Sequence, residues 1–190
     1  EIIRLGMIHV HQKQTLVVDA NELNFLVPKD FKDVYFIDVN SFQTPSYPAT
    51  AIMDSIRDRF MKHPTEGSDW FSFAVLTFQM FTGMHPFRGK HPLLGDDIDA
   101  RMKAQVSALN KDVRVPRVCI PFSVIPQSYL QWYEAVFHNG ERSCPPQATG
   151  VVTVVVPVFQ STSSDVVSVV MVTTLPTPIT DFFQMYSVCD

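Results

Sequence analysis

The segment SDWFSFAVLTFQMFTG, residues 68–83, constrains the fold of this chain more than any other feature. Its side chains are apolar on nearly every face of a helix, and Gly83 provides a stop signal. Either Ser68 or Asp69 is a suitable residue to cap its N-terminus. A helix that is apolar all round belongs in the middle of a domain. The segment therefore predicts a buried central helix.

Three other stretches have helical patterns. Residues 1–13 resemble the end of a helix, although Gly6 weakens that pattern. Residues 96–110 carry acids in the first turn and a narrow apolar stripe, and residues 127–138 share one aromatic face before Asn139-Gly140. Short apolar runs with strand composition occur at 15–18, 24–27 and 34–38, and a long ordered loop rich in Pro, Ser and Thr is predicted at 41–67.

The composition changes after Pro145-Pro146, where two Val-rich stretches, 151–159 and 166–175, predict strands joined by a turn. A hairpin alone is marginally stable in water, so these strands either pack on the first domain or begin a truncated β-domain. The sequence thus predicts a mainly α (α+β) domain at 1–146 built around the central helix, followed by a β-rich tail at 147–190.

Composition and charge exclude several classes of protein. Of 190 residues, 46% are hydrophobic, which supports a packed core, and the net charge of −4 without basic blocks argues against nucleic-acid binding. No apolar run reaches the roughly 18 residues of a membrane helix. The three cysteines are scattered, which favours a reducing, cytoplasmic location. The histidines show no metal-ligand spacing with cysteine.

A small polar cluster lies inside the apolar stretch VVDANELNFLV, residues 17–27. Asp19 is followed five residues later by Asn24, and Asp38 ends the strand-like run that comes next. Phosphoryl transfer from ATP needs one carboxylate to orient the attacking hydroxyl, and an amide with a carboxylate to hold Mg²⁺ on the phosphates. Taken singly, these residues are equally typical of turns and caps.

In its motifs the chain resembles the C-terminal lobe of the protein kinase superfamily. VVDANELNFLV lies over the catalytic-loop pattern H-R-D-x-K-x-x-N, and Asp38-Val39-Asn40 lies over D-F-G. The central segment is similar to D-x-W-S-x-G and continues to G-x-x-P-F, which ends at Phe87. NGERSCPP, residues 139–146, resembles D-P-x-x-R-P, with Arg142 in the arginine position. The resemblance covers residues 1–146, with the motifs in the family's order.

The resemblance implies a role for each matching residue. Asp19 would be the catalytic base or hydroxyl-orienting group, and Asn24 and Asp38 would hold Mg²⁺ and with it ATP. The catalytic loop would be clamped by two short strands, at 15–18 and 24–27. Structural roles would fall to three residues: Asp69, which caps the central helix and bonds back to the catalytic loop; Trp70, a core residue; and Arg142, for which an ion pair with Asp58 is a hypothesis.

The departures from the family are equally specific. Val17 and Val18 replace the loop's packing histidine and its arginine, and Asn21 replaces the lysine that neutralises the transferred phosphoryl group. Val39 and Asn40 replace Phe and Gly, and no A-P-E motif stands at its usual distance before the central helix. The Gly-rich loop and strand lysine of an N-terminal lobe are not in this sequence, which begins at Glu1 and reads as a piece of a longer chain.

Two functions of different classes therefore remain open. The first is an atypical kinase-like enzyme that, with an upstream N-lobe, transfers phosphate from Mg-ATP to a Ser/Thr-type hydroxyl of a protein substrate; alone, the chain would be inactive. The second is a pseudokinase-like scaffold that docks a protein partner through residues 42–60 or the Val-rich tail. A truncated reading frame without activity is a third explanation.

Overall fold

The computed structural model describes residues 1–30, 32–49 and 51–148. Within these ranges the chain is a mixed α and β fold, mainly helical. Its helices are α1 (Ile2–Gln12), α2 (Glu66–Thr82), α3 (Ile98–Lys103) and α4 (Gln127–Phe137), and its strands are β1 (Phe25–Leu26) and β2 (Tyr35–Phe36). Single 3₁₀ turns occur at Val39–Ser41, Asp54–Ile56 and Phe122–Val124. The predicted strands at 151–159 and 166–175 lie outside the described residues.

The predicted central helix is confirmed as α2. Eleven of its 17 residues are buried, and Trp70 is 4% exposed. The predicted cap was wrong, because the helix begins at Glu66 and Thr65 is its cap. The Thr65 side chain accepts from the Ser68 amide at 3.1 Å and the Ser68 hydroxyl accepts from the Thr65 amide at 2.8 Å, which forms a capping box. Asp69 therefore lies inside the helix, with its side chain available for other contacts.

Aromatic side chains join α4 to α2, as the aromatic face of residues 127–138 predicted. The ring of Phe78 lies edge-on to those of Tyr133 and Phe137, with centroids 5.4 and 5.9 Å away. The buried Tyr133 hydroxyl donates to Thr77 Oγ1 at 2.8 Å, so its polar atom is satisfied. These contacts bury one face of α2 against α4.

The helix predicted at 96–110 is shorter in the structure and ends at Lys103. Gln105 has a left-handed backbone with φ of 56°, which stops the helix. The buried Ser107 then bonds the imidazole of His138 at 2.7 Å, beyond the end of α4. A long-range contact has replaced the last helical turn, which the local pattern had no means of indicating.

Residues 15–18 do not form the predicted strand, so the prediction that two strands clamp the loop between them was also wrong. Leu16 makes an isolated antiparallel bridge with Gln43, and Val18 adopts a left-handed backbone with φ of 64°. The reason is that the amides of Val17 and Val18 donate to a carboxylate of α2 rather than to a neighbouring strand.

The helix predicted at 1–13 is confirmed as α1, and the strand pair packs on it. A Cβ atom added to Gly6 would lie 2.7 Å from the ring of Phe36, so the glycine permits close approach of β2 to the helix. Phe36 also lies edge-on to Phe25 in the antiparallel pair, with centroids 4.9 Å apart. Within the described residues, no helix is both long and apolar enough to cross a membrane.

Candidate functional site

The side chains of Asp19 and Asn24 are held together by direct hydrogen bonds. Asn24 Nδ2 donates to the Asp19 carbonyl at 2.8 Å and to Asp19 Oδ2 at 3.2 Å. The amide of Met53 donates to Asp19 Oδ1 at 2.7 Å. Both carboxylate oxygens therefore have donors, and the half-buried Asp19 is fixed in one orientation. The structure brings these two predicted site residues together.

Asn24 directly precedes β1 and Asp38 lies two residues after β2, so the pairing of these strands brings the two segments close together. Phe25 pairs with Phe36, and the amide of Ile37 donates to the Asn24 carbonyl at 3.0 Å, so Asp38 follows directly after a residue bonded to Asn24. Asp38 is exposed, with a left-handed backbone at φ of 53°, and opens the turn Val39–Ser41. Aspartate is among the residues that tolerate this conformation best.

Two groups of the candidate site, the Asn24 side-chain oxygen and the Asp38 carboxylate, have no hydrogen-bond partner among the described residues. Asn24 Nδ2 is committed to Asp19, which leaves Asn24 Oδ1 as a free acceptor, and the Asp38 carboxylate makes neither a hydrogen bond nor an ion pair there. Carboxylate and amide oxygens are hard ligands of the kind that Mg²⁺ prefers, and Mg²⁺ needs few of them when phosphates supply the rest. The donor set fits a magnesium ion shared with a nucleotide.

No group of three or more His, Cys, Asp or Glu side chains suited to a metal occurs within the described ranges.

The side chain of Asn21, at the position where the sequence resemblance places a lysine, is used by the loop itself. The residue is 2% exposed, and its Oδ1 accepts from the Leu23 amide at 2.8 Å. This is an Asx turn, a local hydrogen bond that fixes the backbone. Asn21 therefore shapes the loop and offers no positive charge to a phosphoryl group.

Asp69 supports the loop from below. Its carboxylate is completely buried and accepts from the amides of Val17 at 2.7 Å and Val18 at 2.9 Å. It also bonds His11 Nε2 at 2.9 Å, and the His11 ring lies edge-on to Trp70 with centroids 5.0 Å apart. Asp69 thus connects α1, α2 and the candidate loop.

Sequence reasoning missed His11. The absence of a histidine at position 17 indicated that the loop had lost its packing histidine, but α1 supplies an imidazole to Asp69 instead. His11 is 8% exposed at the inner end of that helix. The one signal in the sequence was its position in the last turn of a predicted helix just before the loop, which does not specify a partner 58 residues away.

The segment that contributes Met53 is itself anchored to the core. Ser72 Oγ donates to the Ile56 carbonyl at 3.1 Å, and His85 Nε2 donates to the Ser55 carbonyl at 2.9 Å. Burial disfavours the charged imidazole and lowers the pKa of His85 below its ordinary value. The donor to Asp19 is therefore part of a fixed turn.

The ion pair hypothesised between Arg142 and Asp58 is present in the structure. Arg142 Nη2 lies 2.9 Å from Asp58 Oδ1, and Arg142 Nε donates to the other carboxylate oxygen, which makes the pair bidentate. Asp58 is 3% exposed, and the guanidinium also lies 4.8 Å from the ring centroid of Phe71. The pair ties the end of the described chain to the loop before α2.

No protein-family model matches this sequence, and no curated protein matches it. Among solved structures, the chain is similar to the kinase PK-1 of Cydia pomonella granulovirus, with 10% sequence identity and a TM-score of 0.49. The similarity covers 72% of this chain and 48% of that one, so the matched part spans about half the length of the viral kinase.

Proposed function

We propose that residues 1–146 are the C-terminal lobe of an atypical, protein-kinase-like phosphotransferase. Completed by an upstream N-terminal lobe, the protein would transfer the γ-phosphoryl group of ATP to a Ser/Thr-type hydroxyl of a cytoplasmic protein. The observation that carries the proposal is the bonded pair of Asp19 and Asn24, with Asp38 beside it across the strand pair.

Asp19 orients the acceptor hydroxyl in this proposal. Each carboxylate oxygen accepts two hydrogen bonds, so the bonds from Met53 and Asn24 leave lone pairs for the hydroxyl proton. As the bond from the hydroxyl oxygen to the γ-phosphorus forms and the bond to the β-phosphate oxygen breaks, that proton passes to the Asp19 carboxylate. The fixed orientation of Asp19 contributes positioning, which accounts for much of the catalysis in this chemistry.

Asn24 Oδ1 and the Asp38 carboxylate would hold Mg²⁺. When bound, the ion offsets the negative charge of the phosphates. Asn24 directly precedes β1 and Asp38 lies two residues after β2, so the pairing of the two strands sets how far apart their backbones lie. Because Asn24 also bonds Asp19, the same amide would position the metal site relative to the hydroxyl-orienting group.

The test is transfer of radiolabelled γ-phosphate by the complete natural chain, with Asp19→Asn as the variant. We expect the variant to lose about 100-fold or more in rate while it keeps its affinity for Mg-ATP. The control is Asp33→Asn, which replaces an exposed acid in the loop before β2. Equal rates in Asp19→Asn and the parent would overturn the assigned role.

A second function, a pseudokinase-like scaffold, is favoured by one observation. The position of the family's phosphate-neutralising lysine holds Asn21, whose side chain is bonded to its own loop. Under this alternative, a protein partner would bind residues 42–60 or the tail. Binding of Mg-ATP without measurable transfer by the complete chain, under every acceptor condition, would favour the scaffold over the enzyme.

A further inference from the structure

A cleft with basic side chains at its edge lies between the loop that precedes α3 and the segment at 114–116, and it shares no lining residue with the candidate site. Its volume is about 410 Å³. Three basic side chains line it, together with one acid and an apolar wall: Arg88, Lys90, Arg114, Asp96, Ile98 and Val115. All three basic residues are exposed to solvent.

Two of these cations are placed directly opposite each other by the backbone. Lys90 and Arg114 form an antiparallel bridge and exchange both hydrogen bonds, each 2.9 Å long. Residues paired in this way have Cα atoms about 5.5 Å apart and side chains on the same face. Like charges in directly opposed positions destabilise the pair. The arrangement therefore has an electrostatic cost in the free protein.

No carboxylate of the described residues offsets that charge by an ion pair. Arg88, Lys90 and Arg114 form neither side-chain hydrogen bonds nor salt bridges within that part of the chain. The nearby Asp99 is used by Arg59 at 2.6 Å and by Lys103 at 2.5 Å. Asp96 is the one acid in the cleft lining, so the three basic side chains outnumber it and the lining has an excess of positive charge.

A fourth cation lies behind the cleft. Arg101 is completely buried, and its Nη1 donates at 2.9 Å to the carbonyl of Gly89, a residue that lines the cleft. Its Nη2 has no hydrogen-bond partner among the described residues, and no carboxylate there contacts the guanidinium. Burial lowers the pKa of Arg101. A buried cation without a counter-ion is costly, so an anion nearby would stabilise this region.

We propose that this cleft binds a phosphate monoester. Lys90 and Arg114 hold the phosphate between them, Arg88 contributes a third charge, and the Ile98 and Val115 side chains contact the carbon stem of the ester. A phosphate dianion between Lys90 and Arg114 would attract both side chains, which offsets the repulsion between them. Arginine presents a planar fork of donors that suits phosphate oxygens. This site is separate from Asp19, Asn24 and Asp38, and does not depend on the proposed phosphotransferase activity.

The experiment is calorimetric titration, in chloride buffer, of inorganic phosphate and of N-acetyl-phosphothreonine amide, with N-acetyl-threonine amide as the unphosphorylated control. The variant is Lys90→Gln/Arg114→Gln. The matched control is Arg117→Gln, which removes an exposed arginine three residues from Arg114 that does not line the cleft. Melting temperatures are measured in parallel, because a ligand that binds the folded state raises them.

We expect saturable phosphate binding and a raised melting temperature in the parent and in Arg117→Gln, with affinity reduced tenfold or more in the double variant. Without phosphate, the double variant should melt no lower than the parent, because its opposed charges are gone. Phosphothreonine should bind more tightly than inorganic phosphate, because only the ester has a carbon stem to contact Ile98 and Val115, and equal binding of the two would overturn the assignment to a monoester. No saturable binding by the parent, or an equal loss in Arg117→Gln, would overturn the proposal.

Discussion

The loop at residues 17–24 has two very different neighbours. We call the buried N-terminal part of α2, which holds Asp69, the region below the loop, and the exposed strand pair β1–β2 the region above it. Below it, the completely buried Asp69 accepts three hydrogen bonds, two from the loop and one from His11. Above it, the pair β1–β2 has two residues in each strand and leaves Leu26 55% and Tyr35 58% exposed. The position of Asp19 is thus set by the core, whereas Asp38 is carried by a small, solvent-exposed strand pair. The comparison predicts that substitutions below the loop affect folding and substitutions above it affect ligand binding.

The largest loss of stability is expected from Asp69→Ala. The change leaves the buried amides of Val17 and Val18 without an acceptor, so the free energy of unfolding should fall by about 3 kcal/mol or more. The reason is the loss of these buried bonds and not of a helix cap, which Thr65 provides. Urea denaturation measures the effect.

Glu66→Ala is the matched control for this prediction, since it removes an exposed acid from the first turn of the same helix. Its effect should stay within about 1 kcal/mol. Equal losses in the two variants would mean that Asp69 does not support the loop.

The next largest effect is expected at the buried ion pair. Removal of either partner leaves a buried charge uncompensated, so Arg142→Ala and Asp58→Ala should each cost about 3 kcal/mol. The double variant should cost clearly less than the sum, because the second change removes the orphaned charge. A double-mutant cycle by urea denaturation measures the coupling, and strictly additive losses would contradict the pair.

A smaller effect, dependent on pH, is expected from His85. Burial lowers its pKa in the folded state, so the unfolded chain binds more protons as the pH falls below the ordinary value of 6.5. Stability from this residue is therefore present at neutral pH and is lost as the pH falls. His85→Gln should flatten the dependence of unfolding free energy on pH between about 7 and 5, as measured by urea denaturation at each pH. Parallel profiles for His85→Gln and the parent would contradict this.

The smallest effect on stability is expected in the strand pair above the loop. Leu26→Ser and Tyr35→Ser change side chains that are mostly in solvent, so the unfolding free energy should stay within about 0.5 kcal/mol of the parent. Urea denaturation is again the measurement. Losses comparable to that of Asp69→Ala would remove the distinction between the two regions.

The parts of the fold that depend on local patterns were predictable. The central helix was predicted at 68–83 and is found at Glu66–Thr82, because apolar residues on every face require burial. The aromatic face of α4 was also predicted from the sequence, and its residues are buried in the structure. Asp19, Asn24 and Asp38 were selected by spacing, and the structure bonds Asn24 to Asp19 and to the backbone of Ile37, the residue before Asp38.

Contacts between distant residues were not predictable from the same patterns. Val17 and Val18 have strand composition, but their amides donate to Asp69, more than 50 residues away, so no strand forms. The helix at 96–110 ends early because its last part folds back, with Ser107 bonded to His138. Sequence periodicity reports which face is apolar and does not report which distant polar group a backbone amide will meet.

The central claim is that Asn24 and Asp38 form a magnesium-nucleotide site above the loop. Its most direct test is calorimetric titration of Mg-ATP into the complete natural chain, with Asp38→Ala as the variant and the exposed Asp33→Ala as the control. The account predicts that the parent and Asp33→Ala bind Mg-ATP in a metal-dependent way and that Asp38→Ala does not. Without ligand, the three proteins should have the same melting temperature. No binding by the parent, or equal binding by Asp38→Ala, would contradict it.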